Sequence, residues 1–338
     1  MKFINIIKSV LIMALVSLGI SGTGASVGTD SGTQLLLPTG AKGLALSGAN
    51  SATVSGADAI FYNPAGIINH GDGVETQFAQ YNYIADINLG YAAFVSDMMG
   101  GTVGLSFKTL DFGDIKWTTA DDTHGESGKT FSPNFSVLTA SYAKSFTDRV
   151  SFGTNLKMIN ESVDKTGGSA FALDMGVQYK HSTLPLHLGI ILKNLGTKLQ
   201  YSGSNLEEYV DSEPRSIISQ ASNLPSQLDL ALTYTINDIN VYGSFTNNSY
   251  GFNELKFGGQ FSLSLAGIDL WMGGGLNAYS VDDDTEGWDA ALTNNNFGVT
   301  FGGGLNVPLG SLKLGVDYGI KSSDTFGNTG VMAFNIGF

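Results

Sequence analysis

Residues 297–320 read FGVTFGGGLNVPLGSLKLGVDYGI, and how this stretch is parsed decides the fold. Phe297, Val299, Phe301, Gly303, Leu305 and Val307 alternate with Gly298, Thr300, Gly302, Gly304 and Asn306. After Pro308-Leu309-Gly310, Leu312, Leu314, Val316, Tyr318 and Ile320 alternate with Lys313, Gly315, Asp317, Gly319 and Lys321. Successive side chains of a strand point to opposite faces, so period two over this length predicts two strands joined by a tight turn, each with one apolar and one polar face.

The same rhythm runs outward along the chain. Leu255, Phe257, Gly259, Phe261, Leu263 and Leu265 alternate with Lys256, Gly258, Gln260, Ser262 and Ser264, and Leu228, Leu230, Leu232, Tyr234 and Ile236 with Asp229, Ala231 and Thr233. One face is greasy; the other carries glycines, hydroxyls, amides and isolated charges. A soluble sandwich turns its greasy face into a core, whereas a transmembrane barrel turns it toward lipid and keeps the polar face in the lumen.

The connections separate these two possibilities. Strands are expected at 74–81, 88–96, 102–110, 134–144, 149–160, 169–180, 186–195, 227–236, 239–247, 254–265, 268–278, 297–307, 311–320 and 330–338. That is about fourteen, an even number, as closure of a bacterial barrel with both ends on one side requires. Short links such as SDMMGG, KSFTDR, Asn237-Asp238 and Ala266-Gly267 alternate with long ones at 111–133, 196–226 and 279–296. Tight turns on one face and long loops on the other are a barrel signature. The last strand lines Met332, Phe334, Ile336 and Phe338 on one face and stops on the aromatic Phe338, a terminus suited to barrel insertion.

Composition agrees. The 338 residues include 45 Gly, 13 Tyr and 20 Phe, with only 14% charged, against roughly 25% in ordinary soluble domains. Absence of cysteine excludes disulfides, cysteine-based zinc sites and thiol nucleophiles. A net charge of -13 with no basic cluster argues against nucleic acid as a partner. At the start, Lys2 and Lys8 precede the apolar run Val10 to Ile20, and Thr23 and Ala25 fit the -3 and -1 positions of a cleavage site. Residues 1–25 are therefore expected to be a secretory signal, too short in its apolar part for a membrane anchor.

Candidate chemistry is sparse. Gly125-Glu126-Ser127-Gly128-Lys129-Thr130 has the end of a phosphate-binding loop, but Thr123 stands where the motif needs glycine, and a strand-to-strand loop is the wrong setting. Asp282-Asp283-Asp284-Thr285-Glu286-Gly287 places carboxylates at positions 1, 3 and 5 of a calcium loop, yet Thr293 replaces the bidentate glutamate at position 12; an acidic, hydrated loop is the simpler reading. His181-Ser182 is too isolated for a hydrolase, and His70, His124 and His187 lack metal-ligand spacing. No enzymatic activity, metal or cofactor is expected. The lumen-side charges Lys157, Asp229, Lys256, Asp269, Lys313 and Asp317 are expected to brace a filled barrel as pairs, with a permeation path as the rival role.

A family resemblance enters through the N-terminal third. Gly40-Ala41-Lys42-Gly43-Leu44-Ala45-Leu46-Ser47-Gly48-Ala49, then Ala57-Asp58-Ala59-Ile60-Phe61-Tyr62-Asn63-Pro64-Ala65-Gly66, resembles the N-terminal segment of the PorV/PorQ family within the FadL-like outer-membrane superfamily; Lys193-Asn194-Leu195-Gly196, Leu224-Pro225-Ser226-Gln227-Leu228 and the closing strand are similar too. The resemblance implies an all-β, fourteen-strand antiparallel barrel at 73–338 whose lumen holds residues 26–72 as a hatch carrying the motif Phe61, Tyr62, Asn63, Pro64, Ala65 and Gly66. Small residues suit close backbone packing in a confined lumen, Phe61 and Tyr62 are expected to wedge against the wall, Pro64 to end any helix, and the glycines near 273–275 and 298–304 to make room.

For function, the resemblance implies an outer-membrane protein with both termini periplasmic. Its role would lie in type IX protein secretion, with secreted cargo and secretion-complex subunits as partners besides outer-membrane lipid. The acidic loops DDDTEGWD and NLEEYVDSEP favour protein contact, with Asp282, Asp283, Asp284, Glu286 and Trp288 as the expected partner-binding loop. The alternative from the wider superfamily is a channel for fatty acids or other hydrophobic small molecules.

Overall fold

The computed structural model describes residues 30–71, 73–210, 213–217, 219–279, 297–323 and 327–338. Among these, fourteen antiparallel strands close into a barrel. They are β1 Val74–Asn82, β2 Asn88–Met98, β3 Gly101–Asp111, β4 Asn134–Thr147, β5 Val150–Val163, β6 Thr166–Lys180 and β7 Leu186–Gly196. The second half comprises β8 Gln227–Ile236, β9 Ile239–Asn248, β10 Glu254–Leu265, β11 Ile268–Tyr279, β12 Phe297–Leu309, β13 Leu312–Ser323 and β14 Thr329–Gly337. Every strand pairs with its sequence neighbours, and β1 pairs with β14 from Glu75↔Gly337 to Asn82↔Gly330. Closure removes the exposed edge that an open sheet would leave.

All fourteen strands fall where alternation puts them. The main differences lie in length: β4 continues to Thr147 and β5 to Val163, because polar residues beyond the apolar belt still pair across the sheet. Bulges interrupt the register between Ser145 and Thr147, between Leu173 and Met175, and between Phe297 and Thr300. The alternation of short and long links is looser than expected. The long segments 112–133 and 197–226 do share one mouth, as do the ends of β11 and β12, but so does the two-residue turn Asp164-Lys165, with Asp164 at φ 51°.

The barrel is inside out. Leu156 is 57% exposed while its neighbours Asn155 and Lys157 are 0% and 7% exposed, and Tyr318 is 51% exposed beside Asp317 at 6%. Phe78, Leu105, Leu138, Phe171, Phe257 and Phe301 all lie on the outer face, the band that lipid would cover. Phe334 and Phe338 are on that face too, with Ile336 partly exposed between them, so the barrel-insertion terminus predicted from sequence lies toward lipid. No helix among the described residues is long and apolar enough to cross a membrane.

Inside, many polar groups bond to one another. Asp174, fully buried, accepts from Asn194 N (2.8 Å) and Asn155 Nδ2 (2.9 Å) and pairs with Lys157 Nζ at 2.6 Å. Lys157 also donates to Asn194 Oδ1 at 2.8 Å. The bulge opposite Asp174 sets Asn194 at φ 58° and brings its backbone N–H onto the carboxylate. Lys256 pairs with Glu254 and Lys313 with Asp269, each at 3.6 Å, while Asp229 accepts from Ser51 and Thr246, and Asp317 from Trp271 and Asn335. Ion pairs are thus found for Lys157, Lys256 and Lys313, the last half exposed near the rim, whereas Asp229 and Asp317 are held by neutral donors.

Residues 30–71 fill the lumen. The segment starts at the long-loop mouth, where Ser31 N donates to Asn223 O and Asp30 meets Ser249. It descends through the short helix Ala41–Ala45, the helix Ala59–Tyr62 and the 3-10 turn Pro64–Asn69, and leaves at the short-turn mouth, where His70 meets Asp97. Its apolar residues, among them Leu35, Leu44, Ile60 and Ile67, belong to one core with inward Tyr81, Leu89, Leu110, Phe135 and Ile159 of β1–β5. The first described residues and the C-terminal Phe338 therefore lie at opposite mouths. It is the start of β1 and the end of β14 that share one, with Val74 and Phe338 exchanging backbone bonds of 2.7 and 2.9 Å.

Candidate functional site

The motif Phe61 to Gly66 is seated by its own polar chemistry and by bare wall. Asn63, fully buried, caps the turn that follows by accepting from Ala65 N (3.1 Å), and its Nδ2 donates to Ser51 O (2.9 Å) and Val177 O (3.2 Å). Pro64 both ends and begins structure. It stops the preceding helix at Asn63, whose φ of -158° and ψ of 105° suit a residue before proline, and it opens the 3-10 turn at its first position. Gly153 and Gly176, paired across β5 and β6, lie directly against Asn63-Pro64, where a Cβ on either glycine would collide with the plug. A second glycine track, Gly258, Gly275, Gly273, Gly302 and Gly319, crosses β10–β13 beneath Ala41 to Leu46. The expected room near 273–275 and 298–304 is this track.

Phe61 and Tyr62 do not act as a pair against the wall. Tyr62 inserts against Gly43 of the plug's own first helix, and Phe61, edge-on to it at 4.8 Å, sits at the floor of a cavity. Lys108 Nζ and Lys193 Nζ lie 5.1 and 5.0 Å from the Phe61 ring centroid, and Lys193 is 5.6 Å from that of Tyr62, a cation–π arrangement in a confined site. Lys108 donates to the carbonyls of Gln34, Leu35 and Leu37 at 2.9, 3.2 and 2.7 Å, which anchors the descending chain.

The cavity above Phe61 measures about 430 Å³ and opens toward the long-loop mouth. One side is apolar and aromatic: Leu36, Leu37, Leu44, Tyr83, Leu110 and Phe112. The facing side, from β7–β13, is polar and charged, with Lys193, Asp229, Glu254, Lys256, Thr300 and Lys321. Below the plug a second cavity of about 420 Å³ has Lys42, Asp58, Glu75, Gln77, Asp317 and Asn335 in its wall, beside Val74 and Phe338. Sequence reading quotes Lys193 only within KNLG and does not single out Lys108; an inward lysine among hydroxyls and amides is the signal that marks both.

The remaining sequence candidates do not converge. Asp282, Asp283, Asp284, Glu286 and Trp288 lie outside the described residues. In the loop at 122–130, Asp122 accepts from Glu126 N (2.8 Å) and Ser127 N (2.9 Å), so its own carboxylate occupies the amides a phosphate would need. Those donors hold the Asp122 carboxyl below the usual carboxylate range. His181 Nδ1 accepts from Thr183 N and Leu184 N at 3.2 and 3.1 Å and closes a turn. Among the described residues no group of His, Asp and Glu is arranged to hold a metal.

What fold and site define is a class: a closed fourteen-strand barrel of outer-membrane type with a lumen plug and a half-apolar vestibule. No family model matches the sequence, and no curated protein is significantly similar to it. Solved structures are similar in fold. The Pseudomonas putida toluene transporter TodX has 11% identity and a TM-score of 0.53 over 87% of this chain and 98% of its own. A Pseudomonas aeruginosa FadL homologue has 11% identity and a TM-score of 0.53 over 88% and 97%. Both are barrels named as a transporter or a FadL homologue, and neither points to PorV or PorQ, to type IX secretion or to cargo proteins.

Proposed function

We propose that this protein is a non-enzymatic outer-membrane channel or carrier for small hydrophobic compounds, which enter from the long-loop mouth. The observation that carries this reading is the half-apolar vestibule closed below by Phe61. A cavity of this size, with an aromatic and aliphatic wall opposite a few polar groups, suits a compound with an apolar body and a polar end. Lys193, above the Phe61 and Tyr62 rings, is the group best placed to meet that end. The fold likeness to a toluene transporter and a FadL homologue supports the same class of solute.

In this reading residues 1–25 are a cleaved signal, 26–72 the plug and 73–338 the barrel. The short turns and Phe338 face the periplasm, and the vestibule faces outside. The test is saturable binding of the uncharged fluorophore N-phenyl-1-naphthylamine to the detergent-solubilised barrel. Leu37→Asp, which places a charge on the apolar wall, is expected to weaken binding about ten-fold, or ~1.4 kcal/mol. Absence of saturable binding, or a Leu37→Asp isotherm like that of the parent, overturns the reading.

A further inference from the structure

The plug divides the lumen unevenly. Along β1–β6 it is deep and pinned by buried side-chain bonds: Asn63 to Ser51 and Val177, Gln178 Nε2 to Val54 O at 2.9 Å, and Glu75 to Ala57 N at 2.8 Å. Along β10–β13 the division is one short helix thick. Within Ala41–Ala45, Lys42 borders the lower cavity, whereas Gly43 and Leu44 border the vestibule. We infer that this helix is a gate, and that the barrel carries a second route, for small hydrophilic solutes, down the inner face of β10–β13.

Three features point the same way. The route is polar on both sides of the helix, with Glu254, Lys256 and Thr300 above and Asn306, Asp317 and Asn335 below. Such walls suit hydrated solutes and disfavour apolar ones, so the route, which begins at the polar side of the vestibule, differs in cargo from the apolar side. The helix lies close against the glycine track, and its polar contacts with the wall are few. Thr300 Oγ1 is 2.9 Å from Ser47 Oγ and donates to Ala45 O at 2.8 Å, and Lys42 Nζ lies 5.5 Å from the Trp271 ring centroid. Finally, the left-handed turn Ser47 (φ 53°) and Gly48 (φ 73°) follows the helix and supplies a glycine at which the chain can pivot, while Gly40 before it packs on Asp58.

The chain has no cysteine, which allows a direct test. The Ser47 and Thr300 hydroxyls are close enough for a disulfide in Ser47→Cys/Thr300→Cys, which would lock the helix to β12. The control Thr53→Cys/Thr233→Cys, whose hydroxyls are 3.2 Å apart, would tether the neighbouring limb of the plug to β8. Arabinose permeation is read by swelling of proteoliposomes, with heat-shifted gel migration reporting folded barrel. The wild type and the reduced first variant are expected to pass arabinose. Oxidation of the first variant is expected to abolish swelling and a reductant to restore it, while the oxidised control keeps swelling. The inference is overturned if the wild type passes no arabinose, if the oxidised first variant still passes it, or if both cross-links block. Naphthylamine binding in the vestibule is measured separately, so failure here leaves the hydrophobic-compound reading intact.

Discussion

At the residue scale, Asn63 holds more of the plug together than its two aromatic neighbours. It satisfies two carbonyls from different parts of the molecule and caps the turn that Pro64 begins. Removing such a group leaves buried partners unpaired, at about 1–3 kcal/mol. Asn63→Ala is therefore expected to loosen the plug without unfolding the barrel: amide exchange should accelerate over residues 51–66 and stay slow in β9–β13. Uniform acceleration, or none, would contradict this. The sequence marks Asn63-Pro64 as special because proline restricts its predecessor and cannot continue a helix. It gives no sign that Ser51 and Val177 are the partners.

At the scale of the element, the β6–β7 pairing shows how one extra residue organises the lumen. The bulge at Lys193-Asn194 lets Asn194 close onto Asp174 and Lys157, and it sets Lys193 over Phe61. Breaking a buried pair costs about 3–5 kcal/mol because the remaining charge is stranded, whereas an apolar replacement of both partners is often neutral. Asp174→Leu alone should lower the urea midpoint of the barrel in lipid, and Lys157→Met/Asp174→Leu should recover most of that loss. A double variant as unstable as the single one would mean that the Asn155 and Asn194 bonds to Asp174, rather than the ion pair, dominate. Alternation locates both strands, but a bulge is invisible to a period-two reading, since it breaks the period by one residue only where tertiary partners reward it.

At the scale of the whole molecule, polarity is inverted: the apolar surface faces out and the hydrogen-bonded network faces in. That arrangement is stable only with lipid around it. Leu105→Arg, on the outer face in the middle of β3, is expected to cost about 2–4 kcal/mol in vesicles, and Met98→Arg, on the outer face at the rim end of β2, about 0–1 kcal/mol. Equal costs in urea titrations would place the apolar belt elsewhere. Closure also confines the plug, because a sealed wall leaves residues 30–71 only the interior to pack against.

The sequence by itself determined the strands, their faces and the even count, since these depend on period two and on turns, both local along the chain. It also determined that the Asn63-Pro64 segment is no strand and that glycine rows leave room within the wall. Only the tertiary structure decided that the plug enters from the long-loop mouth, that Tyr62 packs against Gly43 of the plug itself, and that Phe61 lies between two lysines from β3 and β7. The physical reason is distance along the chain. Residues such as Ser47 and Thr300, or Asn63 and Val177, are far apart along the chain and meet only in the folded barrel, and no local pattern records which inward side chain will face which.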